Sequence, residues 1–123
     1  MFLDNVLENF VLNAENVFYN NEKKITYGDL YKYVYNLYSY LNSIKNEENN
    51  VVIVYGHKDI TMIISFLACS FAGITYVPID ICTNKNRIEE IVNIINPLAI
   101  IATEEIEVSN VNVISRKKLD NII

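Results

Sequence analysis

The sequence is poor in the residues that build most small-molecule and metal sites. Its 123 residues include one histidine, two cysteines, three glycines, two prolines and no tryptophan. One His cannot supply the clustered nitrogen and sulfur ligands of a zinc centre, and Cys69 and Cys82 share no CxxC spacing. Gly28, Gly56 and Gly73 stand alone, so neither a P-loop nor a GxGxxG can be drawn. The chain therefore lacks a Gly-rich loop whose backbone N–H groups could converge on a triphosphate. Positive charge is also scarce: 10 Lys and Arg stand against 15 Asp and Glu, a net charge of −5. Nucleic-acid binding needs clustered cations, and only Arg116-Lys117-Lys118 comes near, which reads as a solvated helix face. No Ser/His/Asp or Cys/His arrangement stands out. Glu89-Glu90 and Glu104-Glu105 are adjacent pairs whose side chains diverge, unlike a paired acid and base. Asp4 and Glu8 sit where a signal peptide would be basic. Reduced thiols in a cytoplasm are the expectation that follows.

What is present is apolar and patterned. A hydrophobic fraction of 51% argues against disorder. A chain of this size buries roughly two-thirds of its unfolded surface, enough for an ordinary core. Residues 60–79 carry no charge, and about 20 apolar residues can span a bilayer. Gly73 and Pro78 punctuate the stretch, however, and Thr61, Ser65, Ser70 and Thr75 dilute it. Helix, turn and strand explain it better, and no membrane span is expected.

Phe2, Leu3, Val6, Leu7, Phe10 and Val11 recur at helical steps and predict an N-terminal helix. Residues 17–26 read as a hairpin of short strands. Thr26 and Asp29 approximate a capping box, with Asp in the usual Glu/Gln place. The helix they open runs to Ile44, with Leu30, Val34, Leu37, Leu41 and Ile44 as its core stripe. Tyr27, Tyr31, Tyr35 and Tyr38 line a face beside that stripe and suggest a core edge or a protein contact. Val51-Val52-Ile53-Val54-Tyr55 is continuous and β-branched, as in a strand covered on both faces. Asp59 starts a helix over 60–71 that Gly73 ends. Strands follow at 75–79, 98–102 and 111–114. Helices are predicted over 85–95, stopped by Asn96-Pro97, and over 116–122, capped by Ser115. The order strand–helix–strand–helix–strand predicts an α/β fold: a mostly parallel sheet with a βαβαβ core and helices on both faces. With Pro, Gly and Ser too sparse for a linker, residues 1–123 read as one unit.

Three strings then carry a resemblance. Ala72-Gly73-Ile74-Thr75-Tyr76-Val77-Pro78-Ile79-Asp80 resembles an early motif of the adenylate-forming (AMP-binding) enzymes. Ile25-Thr26-Tyr27-Gly28-Asp29-Leu30 is similar to that family's (L/I)TYxxL. Val54-Tyr55-Gly56-His57 resembles the D-alanine–carrier-protein ligases and amino-acid adenylation domains in particular. Order and spacing fit the family's N-terminal part over residues 17–102. Thr83, Asn84 and Asn86 depart from the Pro and acidic residue that often precede the Arg-Ile matching Arg87-Ile88, a local loop change.

The resemblance implies an N-terminal piece of an ATP-dependent ligase. Such an enzyme activates an amino acid, with D-alanine the candidate, as acyl-adenylate and transfers it to the phosphopantetheine thiol of a carrier protein. ATP and Mg2+ are implied for the full-length enzyme and no cofactor for this portion. The family's triphosphate loop, acidic ribose and metal residues and catalytic Lys lie farther along its chain, so no catalytic residue is assigned. The partners implied are the rest of the ligase and an acyl carrier protein; an exposed apolar surface would also allow a homodimer. The weak local candidates for anion binding are Gly56, His57 and Lys58, after a strand and before a helix, where open α/β sheets place ligands. A solvated strand-to-helix turn is the plainer reading of that turn, as a turn-forming or capping role is of Asp80. Two other classes stay open: a stand-alone interaction module using the Tyr-rich helix, and a small nucleotide-binding protein using the Gly56 turn.

Overall fold

The computed structural model describes residues 17–20, 24–46, 48, 50–56 and 59–123. The predicted helix over residues 2–11 lies outside the described residues. Strands β1 (Val17–Asn20) and β2 (Lys24–Thr26) form the expected antiparallel hairpin. Helix α1 (Tyr27–Ile44) follows at once. Its first turn is closed reciprocally: the Asp29 N–H donates to the Thr26 hydroxyl at 3.1 Å, and the Thr26 N–H to the Asp29 carboxylate at 3.4 Å.

Four strands make one parallel sheet: β3 (Val51–Tyr55), β4 (Thr75–Ile79), β5 (Ala99–Ala102) and β6 (Val113–Ile114). Their order is β4-β3-β5-β6. From β3 the chain crosses to β4 through α2 (Ile60–Ala72), then back past β3 to β5 through α3 (Lys85–Ile95). Two crossovers of the same hand in opposite directions must put their helices on opposite faces. They do. Val52, Val54, Ala99, Ile101 and Ile114 pack with α1, α2 and Leu119 of α4 (Arg116–Ile122). Ile53, Ile100 and Ala102 pack with Ile88 and Val92 of α3 on the other face. β3 and β5, each with a strand on both sides, are the uninterrupted apolar runs, and Val52, Ile53 and Val54 are fully buried.

The edges show why the remaining residues are tolerated. Thr75 donates its N–H to the Asn50 carbonyl at 2.8 Å, so alternate residues of β4 face β3 and those between face outward. Pro78 falls on the outward set of an edge strand, where its missing N–H costs no ladder bond. Gly73 takes φ +71° and ends α2 in a left-handed cap, one residue later than the pattern predicts. The third strand begins at Ala99 and the fourth at Val113, each later than expected. Before the fourth, Asn110 sits at φ +63°, so the chain is still turning there. The tyrosines on α1 flank the core: Tyr31 stacks on Tyr35 at 6.2 Å between ring centroids, and Tyr35 is the exposed member.

Candidate functional site

The sheet topology nominates one place for a ligand. Connections leave β3 toward one edge and β5 toward the other, so the switch point lies beyond the carboxyl ends of these two strands. Tyr55 and Gly56 stand there on β3, and Ala102 and Thr103 on β5. Of the three sequence candidates, Gly56 is at this point. His57 and Lys58 lie outside the described residues.

Among the described residues, the ends of β3 and β5 meet directly. The Thr103 N–H donates to the Tyr55 carbonyl at 3.0 Å, and the Thr103 hydroxyl approaches the same oxygen at 3.4 Å. That places Thr103 directly against Gly56. A Cβ at position 56 would lie 1.7 Å from Thr103 Oγ1 and 3.0 Å from Thr103 Cβ. Gly56 also holds φ +156°, which side chains rarely adopt. Its glycine is thus explained by close packing between strand ends, with no ligand needed. Thr103 is the residue that the sequence did not single out. Its signal was a polar side chain directly after the apolar run Ala99–Ala102, yet buried with it.

The helix N-termini are the other natural anion sites, because their free N–H groups and dipoles favour negative charge. Each described helix closes its own. At α2 the Asp59 carboxylate accepts from the Thr61 N–H at 3.0 Å and the Met62 N–H at 3.4 Å, and also from the Thr61 hydroxyl. The Asn84 amide oxygen accepts from the Arg87 N–H at 2.8 Å at α3. The Ser115 hydroxyl accepts from the Lys118 N–H at 3.3 Å at α4. A phosphate at the start of α2 would have to displace a carboxylate of its own sign. Among the described residues, each helix start thus carries a side-chain acceptor of its own. The described residues include no group of three or more His, Cys, Asp and Glu side chains that could hold a metal ion.

Other polar residues keep local roles. Asp80 accepts the Cys82 N–H at 2.7 Å and its carbonyl accepts the Thr83 N–H at 3.0 Å, which makes a turn of the loop after β4. The Asp80 carboxylate raises the exposed Cys82 thiol above its ordinary pKa, by hydrogen bonding and then by charge. Burial alone pushes the Cys69 thiol up to about 12, as expected for a small buried apolar residue. Lys118 hydrogen-bonds Tyr40 and lies 5.4 Å from its ring centroid, which lowers the phenol's pKa. Lys45 donates to the Ala72 carbonyl at 2.8 Å and so neutralises the C-terminal end of α2. Glu90 pairs with Arg87 at 3.2 Å on the surface, and is no part of an acid–base pair.

Comparison with known proteins agrees with this architecture. The D-alanine–D-alanyl carrier protein ligase of Bacillus licheniformis is 40% identical over 76 residues, 62% of this chain and 15% of that protein. The enzyme of the same name from Listeria welshimeri is 37% identical over 84 residues, 68% of this chain and 16% of that protein. The chain thus spans 15–16% of the length of these curated relatives. Among solved structures, Klebsiella oxytoca NpsA in complex with 3-hydroxyanthranilyl-AMSN superposes with a TM-score of 0.77 at 17% identity, over 98% of this chain and 26% of that one. The N-terminal subdomain of NpsA with 3-hydroxybenzoyl-AMSN gives 0.74 at 20% identity, over 98% of this chain and 31% of that one. These two likenesses establish the fold. A family model described as AMP-binding enzyme matches residues 5–122, nearly the whole sequence, and by that match the chain belongs to the AMP-binding enzyme family.

Proposed function

We propose that this chain is scaffold from the N-terminal part of an ATP-dependent, AMP-forming ligase. The parent enzyme activates an amino acid as its acyl-adenylate and transfers it to the phosphopantetheine thiol of a carrier protein. D-alanine is the first candidate for the amino acid, because the relatives at 37–40% identity are D-alanine–D-alanyl carrier protein ligases. The observation that carries the reading is the family match across residues 5–122. The capped helix starts and the direct contact of Gly56 with Thr103 support the scaffold role: these layers position neighbouring polypeptide and leave ATP and Mg2+ to groups elsewhere in the enzyme. An ATP-consuming role fits a cytoplasmic location. Among the described residues no helix is long and apolar enough to cross a membrane.

The experiment is to read the gene past codon 123 and assay both products. The expected frame continues into a Ser/Thr/Gly-rich loop followed by Lys. Its full product catalyses D-alanine-dependent pyrophosphate exchange, and the 123-residue chain catalyses none. A stop codon directly after Ile123, or exchange by the 123 residues alone, contradicts the proposal.

A further inference from the structure

Two features of the sequence have no part in the scaffold role: the tyrosine-rich helix, and the run Arg116-Lys117-Lys118 in an otherwise acidic chain. The fold brings them together. α4 carries the run and lies along α1. Leu119 is buried in the core that α1 lines, and the Asn36 amide of α1 donates to the Ile123 carbonyl at 3.2 Å. Lys118 Nζ thereby stands 5.4 Å from the centre of the Tyr40 ring. Its ammonium hydrogen-bonds the phenol, and the Asn112 amide, directly before β6, reaches the same hydroxyl. The neighbouring charges are otherwise committed or lacking. Arg116 pairs with Asp120 at 3.6 Å, and the Ser43 hydroxyl, one turn on from Tyr40, donates to the Tyr40 carbonyl at 2.5 Å. A hydrogen bond from an ammonium favours phenolate over phenol. Lys118 first, and then Asn112, hold the Tyr40 phenol below its ordinary pKa against the opposing effect of partial burial. Tyr76 on β4 is shifted the other way, upward by burial.

We propose that Tyr40 is an acylation site, the phenol that small acyl electrophiles modify first, selected by the Lys118 ammonium and the Asn112 amide at the junction of α1 and α4. A neighbouring cation activates a nucleophile in this way, by stabilising its ionised form while part of the ring stays open to solvent. The step balances with N-acetylimidazole as the donor. The phenolate oxygen bonds to the acetyl carbon, the carbon–nitrogen bond to imidazole breaks, and the phenol's proton leaves on imidazole. Tyr40 is left as an aryl ester. The ester has no proton to give and carries no charge, so the tie between Tyr40 and Lys118 weakens and α4 is left to its Leu119 and Asn36 contacts. Acyl-adenylates, the intermediate class of the proposed function, are electrophiles of the same kind. The site rests on this chain's own residues and not on that reading.

The test treats the 123-residue chain with limiting N-acetylimidazole at near-neutral pH. Peptide mapping with fragmentation assigns the acetyl groups among the nine tyrosines. Hydroxylamine, which cleaves aryl esters and spares lysine amides, separates acetyl-tyrosine from acetyl-lysine. Tyr40 is expected to acetylate about threefold or more faster than Tyr35, although Tyr35 is the exposed ring. Lys118→Met should remove that lead and Lys118→Arg should keep it, with far-UV circular dichroism unchanged in both. Asn112→Ala probes the site without touching α4 and should reduce the lead in part. Acetylation of Tyr35 as fast as that of Tyr40 overturns the proposal. So does a lead that persists in folded Lys118→Met, or a hydroxylamine-resistant acetyl group on Lys118 with none on Tyr40.

Discussion

The two crossover helices do the same topological work and are made of different material. α3 is amphipathic: Ile88 and Val92 are buried, while Lys85, Arg87, Glu89 and Glu90 decorate the rest. It carries one large exposed apolar residue, Ile94, and single exposures of that kind are ordinary. α2 has no charge to decorate with, and its outer side continues the apolar character of its inner side. One face of the sheet thus carries a crossover helix with a charged outer side, and the other a crossover helix whose outer side is apolar. Both helices, by contrast, start with a side-chain cap, Asp59 on α2 and Asn84 on α3.

The inner faces should prove equivalent. Ile64→Ala on α2 and Ile88→Ala on α3 each remove a buried side chain, and each is expected to lower stability by about 2–5 kcal/mol in urea melts. Gly56→Ala belongs in the same range, roughly 2–4 kcal/mol, since the new methyl group must displace Thr103 and position 56 holds φ +156°, which side chains rarely adopt. A small effect there would mean that Thr103 does not seal the gap between β3 and β5.

Capping comes next in size. Asp59→Ala and Asn84→Ala should each cost about 0.5–2 kcal/mol, with Asp59→Asn close to neutral. Thermal melts of the three variants check this, and an increase in phosphate affinity in Asp59→Ala would show that the start of α2 is a latent anion site.

The outer faces should differ in consequence more than in stability. In the 123-residue chain Ile94→Lys is expected within about 0.5 kcal/mol of the parent, and Phe66→Lys, which also loses its edge-to-face contact with Tyr76, to cost roughly 0.5–1.5 kcal/mol. Solubility at high concentration should improve more for Phe66→Lys, because it interrupts a patch where Ile94 is solitary. Equal gains would erase the distinction drawn between the two helices.

A further effect is alkaline. Burial pushes the Cys69 thiol from 9.0 to about 12, so the fold favours the neutral form. Its contribution is complete below pH 9 and is lost as pH rises toward 12. Urea midpoints across that interval should fall, and Cys69→Ala should flatten the fall.

Most of the described architecture was legible because the signals were local. Thr26, Asp59, Asn96 and Ser115 mark helix ends through bonds made within a few residues, and the run Val51–Tyr55 is apolar at every position because both its faces are covered. Strand starts at Ala99 and Val113 were less legible, since pairing depends on partners distant in sequence and on the turn at Asn110. The site was the least legible. Gly56 suggested a ligand approach, but its neighbour is Thr103, 47 residues away by number, and no local pattern announces that contact. The lack of charge on α2 was plain in the sequence. That Ile63 and Phe66 stay exposed among the described residues needed the packing of α1 and the sheet to be known.

The central claim is that these residues hold a scaffold and leave the nucleotide to other parts of the enzyme. A thermal melt of the 123-residue chain across a Mg-ATP titration tests it most directly. The expected result is a midpoint that does not move. A saturable rise, reaching the roughly 2.7 kcal/mol that a ligand at 100 times its Kd contributes, would contradict it.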